Sequence, residues 1–363
     1  MSYMFHGGPM PEFCSFLVFS PNEIDLIHSI CATANWSTRD IPDPSMRYAF
    51  SERGGISELF QASALKDIGL WREGQQGGRL LLLETEKTEA DNIIQLICAA
   101  NVILEGFPVI KNPPTAGFEL SDDEADREIT FENLFRRDGL FQWFTWHQTL
   151  PVAVAIAVEA WGNKKLVYAI HKLAHSYETE CVTPWSMHPR NGQVFEKHTD
   201  DFASHVGTSV AINLAYSAIE ELDLGVKASP DKPRSIGKGT FEWSPEVLEP
   251  FKARLRKAGI DPERTIDWVS RGDQSEVPVY EMLNQLTEYS DGVEVRDRKV
   301  SLPDAINFCE FLRNTMTAHA FSSKTQRLGP YEVYNVQQVA RFLILSKCNL
   351  WNTWTEGLRK RYN

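Results

Sequence analysis

The sequence predicts a mainly α-helical protein, with a C-terminal helical bundle preceded by an N-terminal α+β domain. Three observations carry that expectation. Strand-length apolar runs are confined to the first 110 residues, and a proline- and acid-bearing segment then interrupts the chain. Almost every segment beyond it repeats its apolar residues at helical spacing. A chain of 363 residues exceeds what one hydrophobic core usually organises, so two domains are the starting expectation. They are placed at 1–110 and 129–363, with a linker at 111–128.

In chain order, FCSFLVFS (13–20) has the composition of a strand, and GGRLLLLET (77–85) is a glycine-bounded apolar run of strand length. EADNIIQLICAANVILEGFP (89–108) places Ile93, Ile94, Ile97, Cys98, Val102 and Leu104 at helical spacing, with Gly106 and Pro108 closing the run. KNPPTAGFELSDDEADRE (111–128) joins two prolines, a glycine and an acidic cluster, the composition of a linker. Three helical segments follow: TLPVAVAIAVEAWG, NKKLVYAIHKLAHSYET and TDDFASHVGTSVAINLAYSAIEELDLG. Asn163 and Thr199 are the expected N-caps, and Gly162 and Gly225 the expected stops. Then come a basic Pro/Gly/Ser loop (227–240) and two shorter helices, SPEVLEPFKARLRKAG and VYEMLNQLTEY. In the next helix Ser301 and Asp304 form a capping-box pattern, with Pro303 in the first turn. Ala305, Phe308, Cys309, Leu312 and Met316 make its apolar stripe. YEVYNVQQVARFLILSKCNLWNTW (331–354) comes last.

Composition narrows the class. None of the six cysteines forms a C-x-x-C pair and most lie in apolar runs, which suits buried thiols in a reducing cytoplasm. The N-terminal residues MSYMFHGGPMPEF lack the basic and apolar regions of a signal peptide. LPVAVAIAVEAW (150–161) is too short to span a bilayer and contains Glu159, so it reads as a buried helix. The net charge is −12, but it is unevenly shared. Residues 1–146 hold 11 Lys+Arg against 22 Asp+Glu, and the rest hold 26 against 27. A polyanion partner is therefore disfavoured for the first part and not for the second.

Four motifs carry residue types suited to chemistry or ligand binding. HKLAH (171–175) puts two histidines on one helix face, as metal ligands would be. Position 172 is Lys where a zincin needs Glu, and no Cys/His set completes a tetrahedral site by spacing, so a plain helix face is expected. SIGKGT (235–240) lacks the earlier glycine of a phosphate loop, since position 233 is Pro. Its surroundings still gather Lys227, Lys232, Arg234 and Lys238 against Asp231 alone. That loop could track an RNA backbone or simply be solvated. Glu220 and Glu221 end the 200–223 helix, where acids oppose the macrodipole, which hints at a partner, although an exposed face is the simpler reading. No cofactor is implied.

The remaining motif is RNTMTAH (313–319), which resembles the signature of the HEPN-domain family of helical-bundle ribonucleases. That signature is an Arg, a polar residue beside it, and a His after four to six intervening positions. Here five intervene and Asn314 is the polar residue. AINLAYSAIEELDLGVKAS and PYEVYNVQQVARFLIL also resemble the flanking helices of defence-associated members, so the likeness covers roughly 147–355. It implies a metal-independent endoribonuclease acting in phage defence or as a toxin, with Arg313, Asn314 and His319 as catalytic residues. The chemistry suits those residue types. In such cleavage the 2′-hydroxyl attacks the adjacent phosphate. A histidine near pKa 6.5 moves protons at neutral pH, the guanidinium holds the phosphorane oxygens, and the amide orients the phosphate or fixes the histidine tautomer.

On one straight α-helix Arg313 and His319 would stand about 120° apart and about 9 Å along the axis. Their cooperation therefore needs the helix to end or bend near Thr317, or a second copy to complete the site. The resemblance implies a homodimer. The run ARFLILSKCNLW, apolar on more than one side, points the same way. A cell must restrain such a nuclease, so a regulatory partner or trigger is expected, and the acidic first domain could hold RNA off. The alternatives are a bundle that keeps the fold without cutting, acting as a binding module or as the partner of a nucleotidyltransferase. At the level of residues, the alternative is an Arg313 paired with a local acid and a His319 satisfied in the core.

Overall fold

The computed structural model describes residues 12–18, 21–41, 79–85, 90–106, 149–181, 201–236, 242–271, 295–317 and 328–362. The linker at 111–128 and the segment VYEMLNQLTEY lie outside them. The described chain is mainly helical and divides into two compact units: residues 1–101 with 109–161, and residues 102–108 with 162–363. Among the described residues no helix is long and apolar enough to cross a membrane.

The first unit contains β1 (Glu12–Val18), α1 (Pro21–Thr33), β2 (Ser37–Ile41), β3 (Arg79–Thr85), the start of α2 (Ala90–Glu105) and α3 (Thr149–Trp161). β1 and β3 are the two strands expected from sequence. β3 lies between β1 and β2 and is antiparallel to both, with Glu12 opposite Thr85 and Ser37 opposite Glu84. β1, α1 and β2 thus form a crossover with a third strand inserted between its two. Asn35, at φ 56°, ends α1 in the left-handed conformation that stops helices, and Trp36 N–H returns to the Cys31 carbonyl. Trp36 then meets Trp161 of α3 edge-on, with ring centroids 5.9 Å apart. α3 is the run LPVAVAIAVEAW; Ala153, Val154, Ile156, Ala157 and Ala160 are buried, as expected for it.

The second unit holds α4 (Lys164–Thr179), α5 (Phe202–Glu221), α6 (Pro245–Lys257), β4 (Thr265–Arg271), β5 (Val295–Ser301), α7 (Leu302–Phe311), α8 (Pro330–Lys347) and α9 (Trp351–Tyr362). Asn163 caps α4 as expected, its side chain accepting from Leu166 N–H. For α5 the expected caps are corrected. The N-cap is Asp201, whose carboxylate takes both Ala203 and Ser204 N–H; the expected Thr199 lies outside the described residues. The stop is Asp223 (φ 60°) rather than Gly225, with Asp223 N–H on Glu220 O and Leu224 N–H on Ile219 O. An acidic side chain tolerates that left-handed position well enough to replace glycine.

The helical expectation after the linker missed the antiparallel pair β4–β5, which runs from Thr265 opposite Ser301 to Arg271 opposite Val295. β5 reads VRDRKVS, too polar to register as a strand. In β4 a period of two is visible only in retrospect, with Ile266 and Trp268 buried and Thr265 and Asp267 exposed.

The C-terminal apolar run is also not one helix. α8 ends at Lys347, Asn349 takes φ 57°, and Leu350 N–H closes on Leu345 O before α9 begins. Every residue of α8 from Pro330 to Leu345 except Gln338 is buried, against α4, α5, α7 and β4. This corrects the reading of ARFLILSKCNLW as a surplus apolar face. A helix buried on every side is a central core helix, and α8 is one, although it carries Glu332, Asn335, Gln337 and Arg341 into that core.

Polar groups fix the register of that core. Gln337 Nε2 donates to Ser176 Oγ (3.0 Å) and to Glu180 O (2.8 Å), while Ser176 Oγ donates to Ala211 O (2.8 Å). One buried chain of hydrogen bonds so ties α4, α5 and α8 together. Asn335 does the same for α8 and β4: Oδ1 accepts from Val269 N–H and Nδ2 donates to Val269 O, both at 2.8 Å.

Candidate active site

The RNTMTAH motif enters on α7. Ser301 caps this helix as expected, its hydroxyl accepting from Asp304 N–H. Asp304 does not complete the reciprocal box. Its Oδ2 accepts from the Ser301 hydroxyl (2.6 Å), and its Oδ1 accepts from Trp243 Nε1 (2.7 Å) and lies 3.4 Å from Arg234 Nη2. Ala305, Phe308, Cys309 and Leu312 of the expected stripe are buried, with Phe308 edge-on to Trp268 at 5.3 Å; the Met316 side chain lies outside the described residues.

A regular helix as far as Met316 was expected, and the structure differs. At Leu312 the backbone leaves α geometry and runs as a π-helix from Leu312 to Thr317. Pairing of residue i with i+5 passes over the i+4 partner that an α-helix would use. The Arg313 carbonyl accepts from a side chain, the Thr317 hydroxyl. Thr317 Oγ1 lies 3.1 Å from that carbonyl and 3.1 Å from Asn213 Oδ1 on α5, so its single proton is shared. Asn213 Nδ2 donates to Ser209 O (2.9 Å) and reaches Thr317 O at 3.5 Å. The helix thus changes pitch within the motif, where α5 holds it. π segments recur at functional sites because they re-aim side chains at a cost in backbone stability. The 120° separation computed for a straight α-helix therefore does not apply. Arg313 and Asn314 both lie on this segment; His319 lies outside the described residues.

Arg313 and Asn314 form a hydrogen-bonded line with a third residue that sequence reasoning passed over. Arg313 Nη1 donates to Asn314 Oδ1 (2.6 Å), and Asn314 Nδ2 donates to Glu310 Oε1 (3.3 Å). Arg313 thus meets the local acid through Asn314. Across from the line α5 presents Tyr216 and Glu220, and the loop before α6 presents Arg234. The signal for Glu310 was its spacing: it lies three and four residues before Arg313 and Asn314, one helical turn away.

Electrostatics make Glu310 unusual. Burial, and then the like charge of Glu220, raise its carboxyl to about 7, although Arg313, Arg234 and the Asn314 hydrogen bond all pull it down. The same surroundings push the Tyr216 phenol upward, chiefly by burial and then by Glu310 and Glu220. Arg234 is itself partly desolvated, stacks on the Trp243 ring at 4.4 Å and pairs with Asp304.

A carboxyl raised by folding has a definite consequence for stability. Between the ordinary carboxylate range and about pH 7 the native state binds more protons than the unfolded state, so stability falls as pH rises through that window. Glu310→Gln keeps an amide oxygen for Asn314 and removes the titration. The variant is expected to match wild type near pH 5 and to exceed it by on the order of 1–2 kcal/mol near pH 8, after allowance for solvent at the half-buried carboxyl. Urea denaturation at the two pH values checks this. A difference that is the same at both would show that Glu310 titrates normally.

The other candidates are placed as follows. Glu220 is exposed on the last turn of α5, near Glu310, whereas Glu221 pairs with Lys172 at 2.7 Å, and Lys172 also donates to Ser217 Oγ. The partner hinted at for these acids is therefore intramolecular for Glu221. Lys172, the residue that spoils a zincin motif, joins α4 to α5. His175 Nδ1 pairs with Glu178 (2.6 Å), and burial, then His175, lowers the pKa of His171. Among the described residues no group of three or more His, Cys, Asp or Glu could hold a metal ion. The basic loop also differs from its reading as charges facing only Asp231. Lys227 pairs with Asp223 at 2.6 Å and Arg234 with Asp304, while Lys238 lies outside the described residues.

No family model, curated protein or solved structure matches this chain, so the role of the cluster follows from its own chemistry.

Proposed function

We propose that the second unit is a HEPN-type endoribonuclease that cuts RNA by attack of the 2′-hydroxyl on the adjacent phosphate. The observation that supports this most directly is the Arg313–Asn314–Glu310 line on a π-helical turn. It is a cation with a fork of donors, held by an amide that is itself anchored, at a point where the backbone departs from regular geometry. Asn314 takes one of the five guanidinium N–H donors, which orients the rest of the fork for phosphate oxygens. In this reading Arg313 stabilises the phosphorane charge and Asn314 aims Arg313. His319 exchanges the proton of the 2′-hydroxyl or of the 5′-oxygen that leaves.

The reading includes a homodimer that brings two copies of the motif into one cleft. Its support is a stripe on α5, where Phe202, Val206 and Val210, at intervals of four residues, are 62%, 63% and 41% exposed. This helix also carries Asn213, Tyr216 and Glu220, so a pairing along it would involve the element that braces the site.

The expected result is cleavage of total RNA or tRNA by the purified chain in excess EDTA, leaving cyclic-phosphate and 5′-hydroxyl ends. Activity that disappears with chelator and returns with Mg²⁺ or Zn²⁺ contradicts the mechanism. A folded protein that binds RNA and never cuts it leaves the binding-module reading in its place.

A further inference from the structure

We propose that Glu310 binds substrate phosphate as the neutral acid, so that each phosphodiester seated at Arg313 brings a proton to Glu310 with it. This rests on the reading of Arg313 as the phosphate-holding group and adds a residue, and a proton, to that site.

The geometry sets up the coupling. Asn314 connects the two groups, its Oδ1 on the Arg313 guanidinium and its Nδ2 on the Glu310 carboxyl, so a ligand on one is felt by the other. From its own helix Glu310 faces Arg313, while the buried Cys309 thiol, its neighbour in the chain, faces Tyr216. α5 contributes Glu220, which repels it, and Tyr216, whose phenol stays neutral. From the loop before α6 comes Arg234, which is shared with the Asp304 carboxylate. Two cations therefore support a charged Glu310, and one of them is divided with another acid.

A phosphodiester monoanion on Arg313 changes this balance in one direction. It draws on the Arg313 charge that stabilises the carboxylate, and it adds a negative charge of its own nearby. Both effects disfavour ionised Glu310. The carboxyl already stands at about 7 without ligand, so a modest further push makes it neutral throughout the physiological range. The neutral acid gains an O–H donor, which a phosphate oxygen can accept and a carboxylate would only repel. Linkage makes the effect reciprocal: protonation of Glu310 tightens anion binding by the factor by which the anion favours protonation.

The test uses the full chain and a 2′-O-methyl oligoribonucleotide, which has no attacking hydroxyl and is not cut. Its dissociation constant is followed by fluorescence anisotropy from pH 6 to 8.5 at fixed ionic strength, for wild type and Glu310→Gln. Wild-type affinity is expected to fall as pH rises beyond about 7, by up to about tenfold per pH unit. Glu310→Gln, which keeps a neutral donor, is expected to hold the acid-side affinity across the range. Calorimetry at pH 8 in two buffers of different ionisation enthalpy gives the protons taken up, and uptake by wild type should exceed that by the variant. His319 is common to both proteins, so its own titration cancels in the comparison.

Identical pH profiles, or no proton uptake by wild type, overturn the proposal. If wild type binds the probe and cuts unmodified RNA in EDTA while the profiles coincide, only the role of Glu310 falls. If neither protein binds the probe, the nuclease reading falls with it.

Discussion

Arg313→Ala and His319→Ala are each expected to reduce the proposed RNA cleavage by at least about a hundredfold while leaving the thermal midpoint close to wild type. The rate effect follows from the chemistry: removing one preorganised donor from a developing oxyanion typically costs about 10²–10³ in rate. The small stability effect of Arg313→Ala follows from its position. It is half-buried and bonded to Asn314 on a π turn that Thr317 and Asn213 hold by groups other than the guanidinium. A surface-side truncation of this kind is usually worth under about 0.5–1 kcal/mol. His319→Ala separates catalysis from packing, because a core histidine would lose on the order of 1–3 kcal/mol on truncation. The measurements are cleavage rate in EDTA and thermal midpoint, made on the same preparations. A His319→Ala protein that is destabilised and still cuts RNA would show that His319 is structural.

Asn335→Ala is expected to be the most destabilising change described here, by about 2–6 kcal/mol. The amide serves as a short third strand beside β4, taking both Val269 N–H and Val269 O at 2.8 Å where β5 pairs on the other side. Asn335 and Val269 are both almost fully buried, so truncation leaves a backbone donor and acceptor without partners at about 1–3 kcal/mol each. Asn335→Leu fills the volume and restores neither bond, so it should lose nearly as much as alanine. Urea denaturation of the three proteins decides between packing and hydrogen bonding. Recovery of most of the stability by leucine would mean that volume mattered, and a loss under about 1 kcal/mol would mean that water replaces the amide.

Much of the local structure was legible. β1, β3 and the helices α2 to α7 lie where strand-length runs and helical periodicity place them, and Asn163 and Ser301 cap as their residue types dictate. Each is a short-range decision in which a side chain meets backbone groups three or four residues away. The failures share a different cause. β5 is polar and becomes a strand because β4 lies beside it. α8 carries no amphipathic stripe, so its sequence could not distinguish a buried central helix from one face of a dimer. Only the packing of α4, α5, α7 and β4 around it decides that.

The candidate site divides along the same line. Sequence alone determined that an arginine, an asparagine and a histidine follow one another at the spacing of RNTMTAH, and that Glu310 precedes them by one turn, because these are properties of a single segment. Tertiary structure decided what that segment does with them. The change from α to π geometry at Leu312 is held by Asn213 on another helix. The shift of Glu310 to about 7 arises from burial and from Glu220, a residue 90 positions away in the chain. Desolvation and charge repulsion depend on distance in space, and a half-buried carboxyl cannot be recognised from its neighbours in sequence. Residue types set which chemistry was available, and the fold set the protonation state in which it is offered.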